Sequence, residues 1–95
     1  MVVVCVDAHK RTDTLVAVDE VGRKLGERTV SATRDGHLEA ITWVARWPEH
    51  QFALEDCPHL TRLLEADLLA AGEAVLRVTT TDGRCQAGES RTRQV

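Results

Sequence analysis

Val2-Val3-Val4-Cys5-Val6-Asp7-Ala8-His9-Lys10-Arg11-Thr12-Asp13-Thr14-Leu15-Val16-Ala17-Val18 opens the chain and decides how the rest is arranged. Val2 to Val6 is apolar throughout and mostly β-branched, the pattern of a strand buried on both faces at the centre of a sheet. Asp7 is its first charged residue and is expected where the strand leaves the core. A carboxylate there needs a partner, a metal or water. The same residue type also opens turns, so position alone leaves both roles open. Thr14 to Val18 is a second apolar, β-branched run, and Asp19-Glu20-Val21-Gly22 is a turn signal. Arg23 to Val30, of mixed polarity, reads as an edge strand with one wet face. Three strands with short connections imply an antiparallel meander.

The hydrophobic period then changes. Thr33 is a candidate N-cap with Asp35 in the first turn, and Leu38, Ile41, Val44 and Ala45 are expected to form one apolar helix face. Trp47-Pro48 is the expected stop. Trp43 and Trp47, four apart, can touch. Gln51 to Leu54, ending in Glu55-Asp56, reads as a fourth strand. Pro58 suits a first helical position, with Asp56 or Cys57 as cap. Leu60, Leu63, Leu64, Leu68 and Ala71 keep a helical series that Gly72 ends. Ala74 to Val78 reads as a fifth strand. Residues 79–95 show no apolar period and read as a polar, partly basic, flexible tail after a domain spanning 1–78.

The fold class is therefore α/β, in the order β-β-β-α-β-α-β. A meander followed by two right-handed crossovers gives one mixed five-stranded sheet. With the first strand central, the fourth lies beside it in parallel. Both then reach the same edge ending in carboxylates, Asp7 and Glu55. Ligands in such sheets favour the carboxyl ends of parallel strands.

The bulk properties bound the function. Ninety-five residues make one domain. Aromatics are few (Trp43, Trp47 and Phe52), so the core rests on Val, Leu, Ile and Ala. A formal net charge of −3 does not show the basic footprint of a strong nucleic-acid binder. The charge is uneven: Arg84, Arg91 and Arg93 against Asp82 and Glu89 give the segment from Asp82 onward +1, leaving −4 for the rest. Three cysteines, no signal-peptide pattern and no run of transmembrane length read as a reduced, cytoplasmic protein. Cys5 reads as core filler. Cys57 with His59 lacks the second ligand pair of a zinc site. His37, His50 and His59 read as surface or capping residues.

Several stretches together resemble one family. They are Val6-Asp7-Ala8-His9-Lys10 with Thr12 and Thr14, then Asp19-Glu20 with Gly22-Arg23, and Ala53-Leu54-Glu55-Asp56-Cys57 with His59-Leu60-Thr61. Leu68-Leu69-Ala70-Ala71-Gly72-Glu73 and Arg77-Val78 complete the set. In order and spacing they resemble the N-terminal domain of DEDD-type insertion-sequence transposases, the "one-ten" insertion-sequence family. The resemblance implies an RNase H-like (RuvC-like) fold and metal-dependent DNA cleavage in transposition. It also implies an acidic tetrad whose first two members match Asp7 and Glu55, with Asp56 a lesser neighbour. Its implied partners are DNA, an element-encoded guide RNA and further transposase copies, either a homo-oligomer or a full-length relative.

The chain departs from the family pattern where the second acidic pair is expected. An Arg-Thr-Arg stretch at 91–93 precedes no Gly-Lys-Ser/Thr-Asp-x-x-Asp segment. Aligning Gly88-Glu89-Ser90 on Gly-Lys-Ser puts Arg91 and Gln94 at the acids. Asp82 matches no motif position, and Thr80-Thr81-Asp82-Gly83 lacks the usual Pro-rich, basic character. The serine domain of complete members is absent from this sequence. Asp13 stands where relatives often have His, and Pro58 where they often have Arg. The expectation is a domain truncated before the second acidic pair and inactive alone.

Two-metal phosphoryl transfer needs oxygen ligands for two cations about 3.5–4 Å apart. Two carboxylates hold at most one Mg²⁺ weakly, with water filling the other positions. Lys10, Arg91 and Arg93 are candidate phosphate contacts, or solvated side chains of a loop and a frayed end. A non-catalytic module that binds nucleic acid or transposase is the alternative function. An ATPase fragment with a strand-end Asp is a weaker one, because no Gly-rich phosphate loop follows Asp7.

Overall fold

Seven elements follow in chain order in the computed structural model, which describes residues 1–78. They are β1 (Val2–Ala8), β2 (Thr12–Val18), β3 (Lys24–Ser31), α1 (Arg34–Val44), β4 (His50–Glu55), α2 (Pro58–Ala70) and β5 (Val75–Val78). The strands form one mixed sheet in the order β3-β2-β1-β4-β5. β1 lies at the centre, antiparallel to β2 and parallel to β4. β2 and β3 pair antiparallel, and β4 and β5 pair parallel. The meander, the central first strand and the two crossovers follow the expected order.

One face of the sheet carries the core. Val4 and Val6 of β1, Leu15 and Ala17 of β2, Val30 of β3, and Phe52 and Leu54 of β4 cluster with Ala40, Trp43 and Val44 of α1 and Leu64 and Leu68 of α2. The alternation along the strands sends Cys5, Asp7, Thr14, Val16, Ala53 and Glu55 to the other face.

The turn after β2 forms as its composition dictates. Asp19 Oδ1 accepts from the backbone N–H of Val21 (3.0 Å) and Arg23 (2.8 Å). Gly22 takes φ +86°, a conformation that side chains with a Cβ resist. Thr33 caps α1, its Oγ1 accepting from Gly36 N–H at 3.1 Å. Gly36 is needed for a different reason. A Cβ there would lie 1.8 Å from the Ser31 carbonyl oxygen, so only glycine lets the first turn of α1 close onto the end of β3.

Several expectations are corrected. β1 runs past Asp7 to Ala8, because Ala8 still pairs with Asp13 across the hairpin. Asp7 is thus a strand residue whose side chain faces outward. α1 ends at Val44, not at Trp47-Pro48. The residue before a proline resists the α conformation. The chain closes instead by tighter bonds, Ala45 N–H to Thr42 O and Trp47 N–H to Val44 O. The buried face of α1 comprises Gly36, His37, Ala40, Trp43 and Val44, while Leu38 is 55% exposed. The buried face differs from the expected one because His37, polar by type, is buried against Asp67 of α2. In α2 the inward residues are Thr61, Leu64 and Leu68, and Leu63 is 71% exposed. Cys57 is its N-cap position, without a side-chain cap bond.

The tryptophan pair does form, with ring centroids 5.0 Å apart and an edge-to-face angle of 84°. Arg46 covers both rings. The pair is packing, with Trp43 itself in the core. Among the described residues, no helix is long and apolar enough to cross a membrane. The expected tail at 79–95 lies outside the described residues.

Candidate functional site

Asp7 and Glu55 reach one edge of the sheet on neighbouring strands. β1 and β4 pair in parallel with Val6 opposite Leu54, and each acid is the next residue on its strand. Adjacent parallel strands lie about 4.8 Å apart. The alternation puts both acids on the face away from the helices, and the Asp7 side chain is 62% exposed. Asp7 also stands opposite Thr14 of β2, and Glu55 opposite Val78 of β5.

The surroundings of the two acids follow from the connections. His9 lies in the tight link between β1 and β2, and its backbone N–H bonds to Thr12 O at 2.8 Å. That link carries the imidazole Nε2 to 3.4 Å from Asp7 Oδ2, both groups being solvated. Lys10 is exposed at the tip of the same link. Three residues after Glu55, α2 begins at Pro58, so the positive end of a helix lies at this edge. Asp56 points to a different partner: Arg77 Nη1 donates to its Oδ1 at 3.3 Å, while Nη2 of the same guanidinium reaches Glu65. Cys57 Sγ lies 3.7 Å from His59 Nδ1.

The arrangement offers two carboxylates to a cation. Mg²⁺ is commonly held by one or two carboxylates with water in the remaining positions, and Asp7 and Glu55 suit that mode. Among the described residues, no three His, Cys, Asp or Glu side chains converge as a metal-holding group. Arg91 and Arg93 lie outside the described residues, as do Asp82 and the Gly88-Glu89-Ser90 segment. Lys10 is on the same edge as Asp7, by virtue of the link it shares with His9.

A second cluster was not foreseen. Asp13 is 1% exposed, and His37 3%. His37 Nδ1 is 2.7 Å from Asp67 Oδ2 on α2, and Nε2 is 3.5 Å from Asp13 Oδ2 on β2. The second approach permits charge attraction but is not a formed hydrogen bond, and neither Asp13 oxygen has such a partner among the described residues. Burial pushes the Asp13 carboxyl above its ordinary value; His37 opposes that rise, and His9 more weakly.

His37 is therefore a core residue, contrary to the surface role expected of it. His50 is also partly buried. Its Nδ1 meets Trp47 O and its Nε2 meets Glu73 Oε1, both at 2.6 Å, tying the entry of β4 to the entry of β5. Only His59 is exposed as expected. The signal was present in the spacing. Asp13 is in phase with Leu15 and Ala17 at the strand period, and His37 with Ala40 and Val44 at the helix period.

No protein-family model matches the chain, and no curated protein matches it.

Proposed function

We propose that this chain is the RuvC-like, RNase H-like N-terminal domain of a DNA transposase of the DEDD insertion-sequence type. The observation that carries the reading is the register of β1 and β4, which puts Asp7 and Glu55 at one edge and on one face. The motif resemblance selects the same two residues. The strand order, with an antiparallel meander followed by two parallel strands, is compatible with that fold.

In this reading Asp7 and Glu55 would hold one Mg²⁺, which supplies charge neutralisation at a phosphoryl oxygen. His9 holds Asp7 in place from the neighbouring link, and Lys10 adds a positive charge for a phosphate of DNA or of a guide RNA. With two protein carboxylates the cation is held weakly. In this reading the described site acts by binding nucleic acid or further transposase copies.

Two experiments test the reading. The purified 95-residue chain, with Mg²⁺ or Mn²⁺ and branched or supercoiled DNA, is expected to leave every strand intact. Metal-dependent cleavage abolished by Asp7→Asn would overturn the claim that Asp7 and Glu55 hold one cation only weakly. The coding sequence beyond Val95 is expected to contain a Gly-Lys-Ser/Thr-Asp-x-x-Asp segment in one of its frames. A following sequence with no such segment in any frame counts against the family assignment.

A further inference from the structure

We propose that Asp13 and His37 share a single buried proton, and that this proton is a pH-sensitive clasp holding α1 and α2 against the sheet. The proposal rests on the cluster's geometry and is independent of the transposase reading.

The argument begins with the donor count. A neutral imidazole carries one N–H. The 2.7 Å contact of Nδ1 with the Asp67 carboxylate claims it, since a carboxylate can only accept. Nε2 is then a lone pair, and it faces Asp13 Oδ2 at 3.5 Å. Two acceptors facing each other in a buried site repel, and a buried carboxylate without a donor is costly. One proton on Asp13 removes the conflict, because its carboxyl O–H then faces the Nε2 lone pair. The upward push of burial on Asp13 acts in the same direction.

Among the described residues, no other charge takes over this role. From β1, the residue opposite Asp13 is Ala8, with His9 beyond it, turned to Asp7. From β3, Val30 is opposite, and Arg28, two residues away, is engaged by Glu39 of α1. α1 offers His37, and α2 offers Asp67, whose side chain is a quarter exposed. The cluster thus joins β2, α1 and α2 through one imidazole. Loss of the shared proton to solvent leaves a buried carboxylate against a lone pair where α1 meets the sheet.

The direction follows from linkage. A carboxyl whose folded-state value is raised binds more protons when folded. Its contribution to stability is complete below the ordinary value of 3.8 and falls as pH rises through the folded value. The link between β1 and β2, which carries His9 and Lys10, ends at Arg11, immediately before Thr12 and Asp13 of β2. Its backbone is also tied to the approach to α1 by Ala32 N–H to Arg11 O. Release of the clasp therefore loosens that link as well as the helices.

The test uses the intact 95-residue chain. The side-chain carboxyl carbon of Asp13 is followed by NMR from pH 4 to pH 8, with amide exchange over Gly36–Ala40 and Leu64–Leu68 corrected for intrinsic rates. The expected result is that Asp13 ionises above the ordinary carboxylate range. Exchange at those amides is expected to rise at least about fivefold over the same interval. Ionisation of Asp13 in the ordinary range overturns the proposal, and so does unchanged exchange across its ionisation. Asp13→Asn supplies a second readout, because its amide N–H can donate to Nε2 at every pH. Its Tm relative to wild type is expected to increase by about 4 °C or more from pH 4 to pH 8. A difference that is flat, or that moves the other way as an ordinary ion pair requires, overturns the clasp.

Discussion

Val6 faces Leu54 across two parallel strands, and this pairing sets Asp7 beside Glu55. The register matters more than the presence of either acid. A one-residue slip of β4 would send Glu55 to the helix-covered face, where Phe52 and Leu54 now lie fully buried. The apolar core therefore fixes the place where the two carboxylates meet.

That core makes a sharp distinction between neighbouring leucines of α2. Leu64 is fully buried, whereas Leu63 projects into solvent. Leu64→Ala is expected to cost about 2–5 kcal/mol, from lost burial and the cavity left behind. Leu63→Ala is expected to change stability by less than about 0.5 kcal/mol. Urea unfolding of the two variants measures the difference. Equal effects would show that the helix is rotated from the described orientation.

These leucines also show what could be read in the sequence. The second helix, its Pro58 start and its Gly72 end were legible from local chemistry. Its inward face was not, because Leu60, Leu63, Leu64, Leu68 and Leu69 cover more of the circumference than the sheet can bury. α1 shows the opposite difficulty. Its inward face includes His37, and polarity conceals a residue that is buried by pairing. The Asp7–Glu55 pair was legible because it depends only on strand order and on which end of each strand carries the acid. The Asp13–His37–Asp67 cluster depends on the rotation of two helices over the sheet, which side-chain periodicity alone leaves open.

The approach of α1 to β3 gives a second test. Gly36→Ala would place a methyl group 1.8 Å from Ser31 O and 2.5 Å from its Oγ. Backbone must move to admit it, so destabilisation of about 1–3 kcal/mol is expected despite alanine's better helix propensity. Thermal unfolding of the variant checks this. An unchanged or higher Tm would contradict the close contact.

Asp19 should have a pH signature opposite to that of Asp13. The Arg23 backbone N–H, followed by that of Val21, holds its carboxyl below the ordinary 3.8. A lowered value contributes stability that is present above 3.8 and lost as pH falls through the folded value. Asp19→Asn removes this titration. Urea midpoints between pH 2 and pH 5 are expected to favour wild type at the upper end and to converge on acidification. A difference that grows on acidification would contradict the turn's hydrogen bonding.

The central claim, that Asp7 and Glu55 form one cation site, is tested most directly by Mn²⁺ broadening of amide NMR signals in the full chain. Titration with Mn²⁺ is expected to broaden the amides around Asp7 and Glu55 together, at the same metal concentration. Excess Mg²⁺ should reverse the effect, and either Asp7→Asn or Glu55→Gln should remove it from both strands. Broadening confined to one of the two strands, or persisting in both variants, would contradict the claim.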